Sequence, residues 1–132
     1  MQTDWEPIPA GLNDLSKVVV DAAFTVHSQL GPGLLESVYE ACLAHELRKR
    51  GHSVLTQVLI PVTYDSIELD AGLKLDLLID GQLIVEVKSV LQFHPVYEAQ
   101  LLTYLKFAGI RLGLLINFNV TNIGDGIKRK VR

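Results

Sequence analysis

Of the ionisable side chains that interrupt the two apolar runs of GLKLDLLIDGQLIVEVKSV, residues 72–90, three could do chemistry together: Asp76 in the first run, Glu86 and Lys88 in the second. Charge inside strands that otherwise read as buried is costly unless it is paired or bound to a metal. Glu86 and Lys88 are two residues apart, so in a strand they share one face, and Val87 between them points the other way, into a core. An acid on one strand and an acid-x-lysine on its neighbour suit metal-assisted phosphodiester cleavage. Carboxylates would hold a divalent cation, and the lysine would orient or deprotonate the attacking water. Oxygen donors of this kind suit Mg²⁺ or Mn²⁺. His27, His45, His52 and His94 show no ligand spacing such as HxxxH, so zinc is not expected.

Asp76 and Glu86 meet only in one register of the hairpin that joins them. Residues directly opposite in an antiparallel pair point to the same face. A two-residue turn at Asp80-Gly81 pairs Ile79 with Gln82 and Asp76 with Val85, which puts Glu86 on the far face. A three-residue connection from Asp80 to Gln82, or a bulge, pairs Asp76 with Glu86 and Lys74 with Lys88. Local turn chemistry favours the first register. The charge pattern requires the second, because a slip would bury Glu86 and Lys88 without a partner, and the second is expected.

Further elements must surround this hairpin. Asn13 or Asp14 can cap a helix running to about Leu30, with Leu15, Val18, Val19, Ala22, Val26 and Leu30 as its apolar stripe. Gly31-Pro32-Gly33 breaks it, and a second helix follows from about Leu34 to Arg50, stopped by Gly51. Ser53 to Tyr64 reads as a strand, with Pro61 marking an edge or a bulge. After the hairpin comes a helix from about Pro95 to Phe107, which places Gln100 and Tyr104 on one face. That pair either contacts a phosphate, orients Lys88, or has its two members satisfy each other between helix and sheet. RLGLLINF, residues 111–118, has the continuous apolar character of a buried strand, and GIKRKVR can add a short edge strand. The order α-α-β-β-β-α-β describes an α/β domain, a small mixed sheet flanked by helices.

The second helix contributes another acid. At about 100° per residue, Glu36 lies roughly 20° from both Leu43 and Leu47, on a seam that faces inward, with Tyr39 one turn along. A first-turn acid is favoured by the helix dipole alone. Beside Asp76 and Glu86, a shared cation site with Glu36 is the better expectation.

Composition sets the bounds. A chain of 132 residues, 48% of them hydrophobic, forms one domain and is not disordered. Residues 1–12 are expected to be a loosely held arm and residues 13–132 a single domain. No apolar run reaches the ~18 residues of a membrane helix. MQTDWEPIPAGLND has neither the basic region nor the apolar core of a secretory leader. Cys42 has no second cysteine to bridge to, so a reducing, cytoplasmic setting is expected. A net charge of −3 and a pI near 5.7 argue against a general nucleic-acid coat, although a carboxylate cluster itself lowers the charge. Lys128, Arg129, Lys130 and Arg132 read either as a solvated face or as contacts to a nucleic-acid backbone.

The segment VHSQLGPGLLESVYE resembles the signature of the GxxExxY protein family, with Gly33, Glu36 and Tyr39 at its named positions. LDLLID, LIVEVKSV, EAQLLTYLKFAG, GLLINFN and GIKR resemble the same family in the same order, so the likeness runs from about Val18 to Val131. That family is similar to the PD-(D/E)xK nuclease superfamily, with a QxxxY motif as in its exonuclease branch. The resemblance implies a restriction-endonuclease-like core in which Asp76, Glu86 and Lys88 take the catalytic positions and Glu36 is the helical acid that assists the metal. It matches Gln100 and Tyr104 to QxxxY and gives Tyr39 a substrate-binding or site-orienting place. Lys74 and Tyr97 depart from its pattern, which has Arg and His there; both departures bear on substrate contacts rather than on the fold.

Two function classes follow. One is a Mg²⁺- or Mn²⁺-dependent nuclease acting on DNA. The other is a catalytically inactive nuclease-fold module for nucleic-acid binding or protein assembly. Nothing in the chain reads as a separate substrate-reading domain, so a homodimer or a protein partner would supply specificity.

Overall fold

The computed structural model describes residues 6–132. Helix α1 spans Ala10–Leu30 and α2 spans Glu36–Lys49. Strands β1 (Val54–Tyr64), β2 (Ile67–Ile79) and β3 (Leu83–Lys88) precede α3 (Pro95–Ala108). Strand β4 (Leu112–Asn117), a 3₁₀ turn (Ile123–Gly126) and β5 (Ile127–Val131) complete the chain. The expected order holds, and the GIKRKVR tail does form an edge strand.

Helix α1 begins at Ala10, three residues ahead of Asn13, because Leu12 already packs in the core with Leu15, Val19, Ala22, Ala23 and Val26. Asn13 therefore lies inside the helix, where its side chain reaches Ile8 and Arg129 instead of capping. Of the expected arm, residues 1–5 lie outside the described residues and 10–12 are helical. Helix α2 starts two residues later than expected, since Leu35 is still extended at φ −71°, ψ 150°.

The five strands lie in the order β1-β2-β3-β4-β5. All neighbours are antiparallel except β3 and β4, whose parallel pairing requires the crossover that α3 supplies. Helices α1 and α2 cover one face over the larger core, and α3 covers the other around Leu75, Ile84, Leu101, Leu105 and Leu115. A Cβ on Gly113 would stand 2.8 Å from Leu101, so α3 seats against β4 at a distance only glycine permits.

The hairpin register is the one the charges require. Ile79 pairs with Leu83 and Leu77 with Val85, so the next rung sets Asp76 opposite Glu86. The turn chemistry is satisfied as well. Asp80 and Gly81 both have positive φ (51° and 67°), and the Gln82 N–H donates to the Ile79 carbonyl at 2.9 Å, as in a tight type I′ turn. Gln82 is then one extra residue before the ladder starts, which converts a two-residue turn into a three-residue connection.

Strand β2 leaves β3 after Leu77, while β1 and β2 continue together as a two-stranded arm to Tyr64 and Ile67. The expected rung between Lys74 and Lys88 is therefore absent; Lys74 pairs only with Leu59 of β1. At this fork the pleat also changes sense. Leu77 and Ile79 face the α1/α2 core, yet Leu75, two residues earlier, packs with Val58 and Ile60 against α3. Gln57, across from Asp76, carries the interruption in a left-handed conformation with φ 53°.

Candidate active site

The fork replaces ladder hydrogen bonds with carboxylate oxygens. The Asp76 N–H donates to Glu86 Oε2 at 2.9 Å, and the Val87 N–H donates to Asp76 Oδ2 at 2.9 Å. Each acid thus accepts an N–H of the opposite strand where the two backbones have parted. Glu86 is 4% exposed, and alternation along β3 sets it between Ile84 and Lys88 on the α3 face. Burial pushes its pKa up to about 8, the Asp76 charge adds to the rise, and Lys88 opposes it. Lys88 ends the strand, with its Nζ 4.7 Å from the Tyr97 ring centroid.

Tyr104 and Gln100 stand on α3 over this face. The Tyr104 phenol is held above its ordinary pKa by partial burial first, then by the charges of Glu86 and Asp76, so it faces the acid pair. Gln100 is half-buried one turn earlier and makes no side-chain hydrogen bond among the described residues.

Glu36 does not join the cluster. It is the first residue of α2 and is exposed. Its direction around the helix is as expected, but it sits about 10 Å along the axis from Leu43, and it makes no hydrogen bond or ion pair to Asp76 or Glu86 among the described residues. Glu40, one turn deeper, is linked to Asp76 through Gln57. Gln57 Nε2 donates to Glu40 Oε1 at 2.7 Å and reaches Asp76 Oδ1 at 3.5 Å. Burial raises the Glu40 pKa, and of the nearby charges Asp76 and Glu36 raise it further while Lys74 lowers it. Tyr39 is fully buried and also lies away from the acids, with its ring stacked on Phe118 at 4.6 Å. Its hydroxyl donates to the Gly31 carbonyl at 2.5 Å and accepts the Leu34 N–H at 3.1 Å. The loop it pins accepts a 2.6 Å hydrogen bond from Ser89 Oγ, next to Lys88, so Tyr39 acts on the site only at one remove.

Three contributors escaped the sequence reading: Glu40, Gln57 and Asn117. Asn117 pairs with Lys88 across β3 and β4, and its buried amide accepts from the N–H groups of Val90 and Asn119 and donates to the Val90 carbonyl. It holds the exit of β3 in place, and with it Lys88. A lone asparagine ending an apolar run was the only signal for it.

The donor chemistry of Asp76, Glu86 and Glu40 fits a hard divalent cation. Among the described residues, no group of three or more His, Cys, Asp or Glu side chains is already drawn together as a metal site. Completing one requires side-chain rotation, Gln57 being the link between Glu40 and Asp76.

An acid opposite an acid-x-lysine, at a fork between antiparallel strands with a parallel strand beyond, defines a class of nuclease-like cores. The family model for the PD-(D/E)XK nuclease superfamily matches residues 13–130, and the chain belongs to that superfamily. Its helices and mixed sheet agree with the restriction-endonuclease-like fold of that group. No curated protein and no solved structure gives a significant match to the chain.

Proposed function

We propose that the protein is a divalent-cation-dependent nuclease that hydrolyses phosphodiester bonds in DNA, and that within its superfamily it belongs to the GxxExxY group through Gly33, Glu36 and Tyr39. The observation that carries this reading is the buried Glu86 set against Asp76, with Lys88 beside it on the same face. A carboxylate pair with one member buried and one half-buried, beside one lysine, is short of positive charge, and a cation would supply it. Asp76, Glu86 and Glu40 would hold Mg²⁺ or Mn²⁺, with Glu40 in the role expected of Glu36. Superfamily nucleases typically use such ions, and a bound divalent cation supplies Lewis acidity at the scissile phosphate. Lys88 orients the attacking water and offsets the negative charge that grows in the transition state. Tyr104 and Gln100 border the space where the phosphate would lie. No described helix is long and apolar enough to cross a membrane, and the single half-buried Cys42 agrees with work in the cytoplasm.

A second reading, an inactive module that binds nucleic acid or assembles with a protein, draws on the lack of a preassembled three-acid group among the described residues. Melting with and without Mg²⁺ or Mn²⁺, paired with a cleavage assay on single- and double-stranded DNA, separates the two. The nuclease reading expects about 2.7 kcal/mol of stabilisation at a hundredfold excess of cation over its dissociation constant. Asp76→Asn and Glu86→Gln should lose most of that gain while folded, and Lys88→Ala should keep it but lose cleavage. A wild type with neither shift nor cleavage leaves the inactive module.

A further inference from the structure

Beside the acid pair a rim runs on from Lys88, and its other members take no part in these roles. From Lys88 Nζ it is 4.7 Å to the centre of the Tyr97 ring, 5.8 Å from there to the Phe93 ring, and 6.0 Å on to Lys128 Nζ. The His94 ring stands edge-on to Tyr97 at 5.8 Å. Three separate elements deliver these groups: the end of β3, the entrance to α3, and β5. His94 and Lys128 are exposed, and Phe93 and Tyr97 are half-buried.

The charge of this rim differs from that of the whole chain. Glu98 is engaged by Lys130 at 2.7 Å, while Lys128 makes no salt bridge among the described residues. Arg129 points to the opposite sheet face, where it binds Asn13 at 2.6 Å and Ser16 at 3.2 Å. The basic tail is therefore divided by strand alternation, and Lys128 and Lys130 are on the side of the acid pair.

We propose that this rim is a binding track for single-stranded nucleic acid that leads into the acid site, with Lys128 meeting backbone phosphate and Phe93, His94 and Tyr97 stacking on unpaired bases. The proposal rests on the nuclease reading of the site and specifies its substrate. Aromatic rings interleaved with cations are what binding without base pairing uses, because every unpaired base offers a face to stack on. A duplex hides those faces and is held mainly through many phosphate contacts. A chain with net charge −3 is poorly equipped for that.

The test is fluorescence anisotropy of a labelled oligonucleotide, single-stranded and as its duplex, with wild type in EDTA and Glu86→Gln in Mg²⁺. The single strand should bind at least about tenfold more tightly. Lys128→Ala should weaken it several-fold and reduce the slope of log K against log salt by about 0.7. Phe93→Leu, which keeps an apolar side chain in the α3 core, should weaken it about tenfold, within the range of one lost stack. Melting midpoints of both variants matching wild type would exclude a folding cause. Equal or tighter duplex binding, or variants that bind like wild type, would overturn the track, and cleavage by the same wild type would leave the nuclease reading standing. Absence of cleavage and of any cation-dependent melting shift would sink that reading. Single-strand binding lost in both variants would still support the track.

Discussion

Strand β3 shows its two sides to very different surroundings. Leu83, Val85 and Val87 face α1 and α2, where they join a large apolar core running from Leu12 to Ile123. Ile84, Glu86 and Lys88 face α3, where the fully buried apolar residues number five: Leu75, Ile84, Leu101, Leu105 and Leu115. One six-residue strand thus belongs to a packed interior on one side and to a charged cleft on the other. Burying Glu86 next to Asp76 is unfavourable in itself, since desolvation and like charge act together on the ionised form. The difference between the faces shows how such a site is tolerated: the α1/α2 face stabilises the domain, and the α3 face carries the cost.

The sharpest way to break this division is to truncate the side assigned to stability. Leu77 is fully buried in the α1/α2 core one residue from Asp76. Leu77→Ala should lose about 2–5 kcal/mol in urea unfolding, while turnover per folded molecule changes little. Loss of turnover with stability retained would show that the two faces are not separable.

The converse prediction concerns the side that carries the cost. Glu86 has a folded pKa of about 8 against an ordinary 4.5, so the folded protein holds this proton more tightly than the unfolded chain does. Stability is therefore greatest below pH 4.5 as far as this group is concerned. It falls as pH rises, and the cost is complete above about 8. In EDTA the decline should amount to a few kcal/mol. Glu86→Gln, which keeps an acceptor for the Asp76 N–H, should flatten it and be more stable than wild type at pH 8. Parallel pH profiles for the two proteins would remove Glu86 as the source.

How much of this was legible in the chain depends on which geometry carried each residue. Strand alternation has a period of two, so Asp76, Glu86, Lys88 and the inward Val87 could be placed from spacing alone. The register followed because only one alignment gave the charges partners. Helical periodicity was less decisive. Glu36 and Glu40 each lie about 20° from Leu47 on the wheel, and the wheel says nothing of height along the axis, which the packing of α2 on the sheet decides. Tyr39 is a named position of a sequence signature, yet its hydroxyl is engaged in holding the Gly-Pro-Gly loop. Lys74 was expected opposite Lys88 and is not, because nothing local announces where two strands part.

Gln57 was the least legible residue, one of two polar side chains inside VLTQVLIPV, and it reads as an ordinary strand position. Its left-handed φ of 53° is unfavourable for a residue other than glycine and persists only where its surroundings hold it. Those surroundings are Glu40 and Asp76, which its amide ties across from α2 to β2. Replacement by glycine separates backbone from side chain, because glycine accepts this φ without strain and removes only the link. Gln57→Gly should therefore keep or slightly raise the melting temperature. It should weaken Mn²⁺ binding about tenfold in a calorimetric titration, the smaller end of what outer contacts to ligands contribute. This is a smaller effect than either of the others, about 1.4 kcal/mol. Tighter Mn²⁺ binding would mean that Gln57 competes with the cation for Glu40 and Asp76 rather than holding them for it. Unchanged binding would leave Glu40 outside the site and confine the acid pair to the two strands.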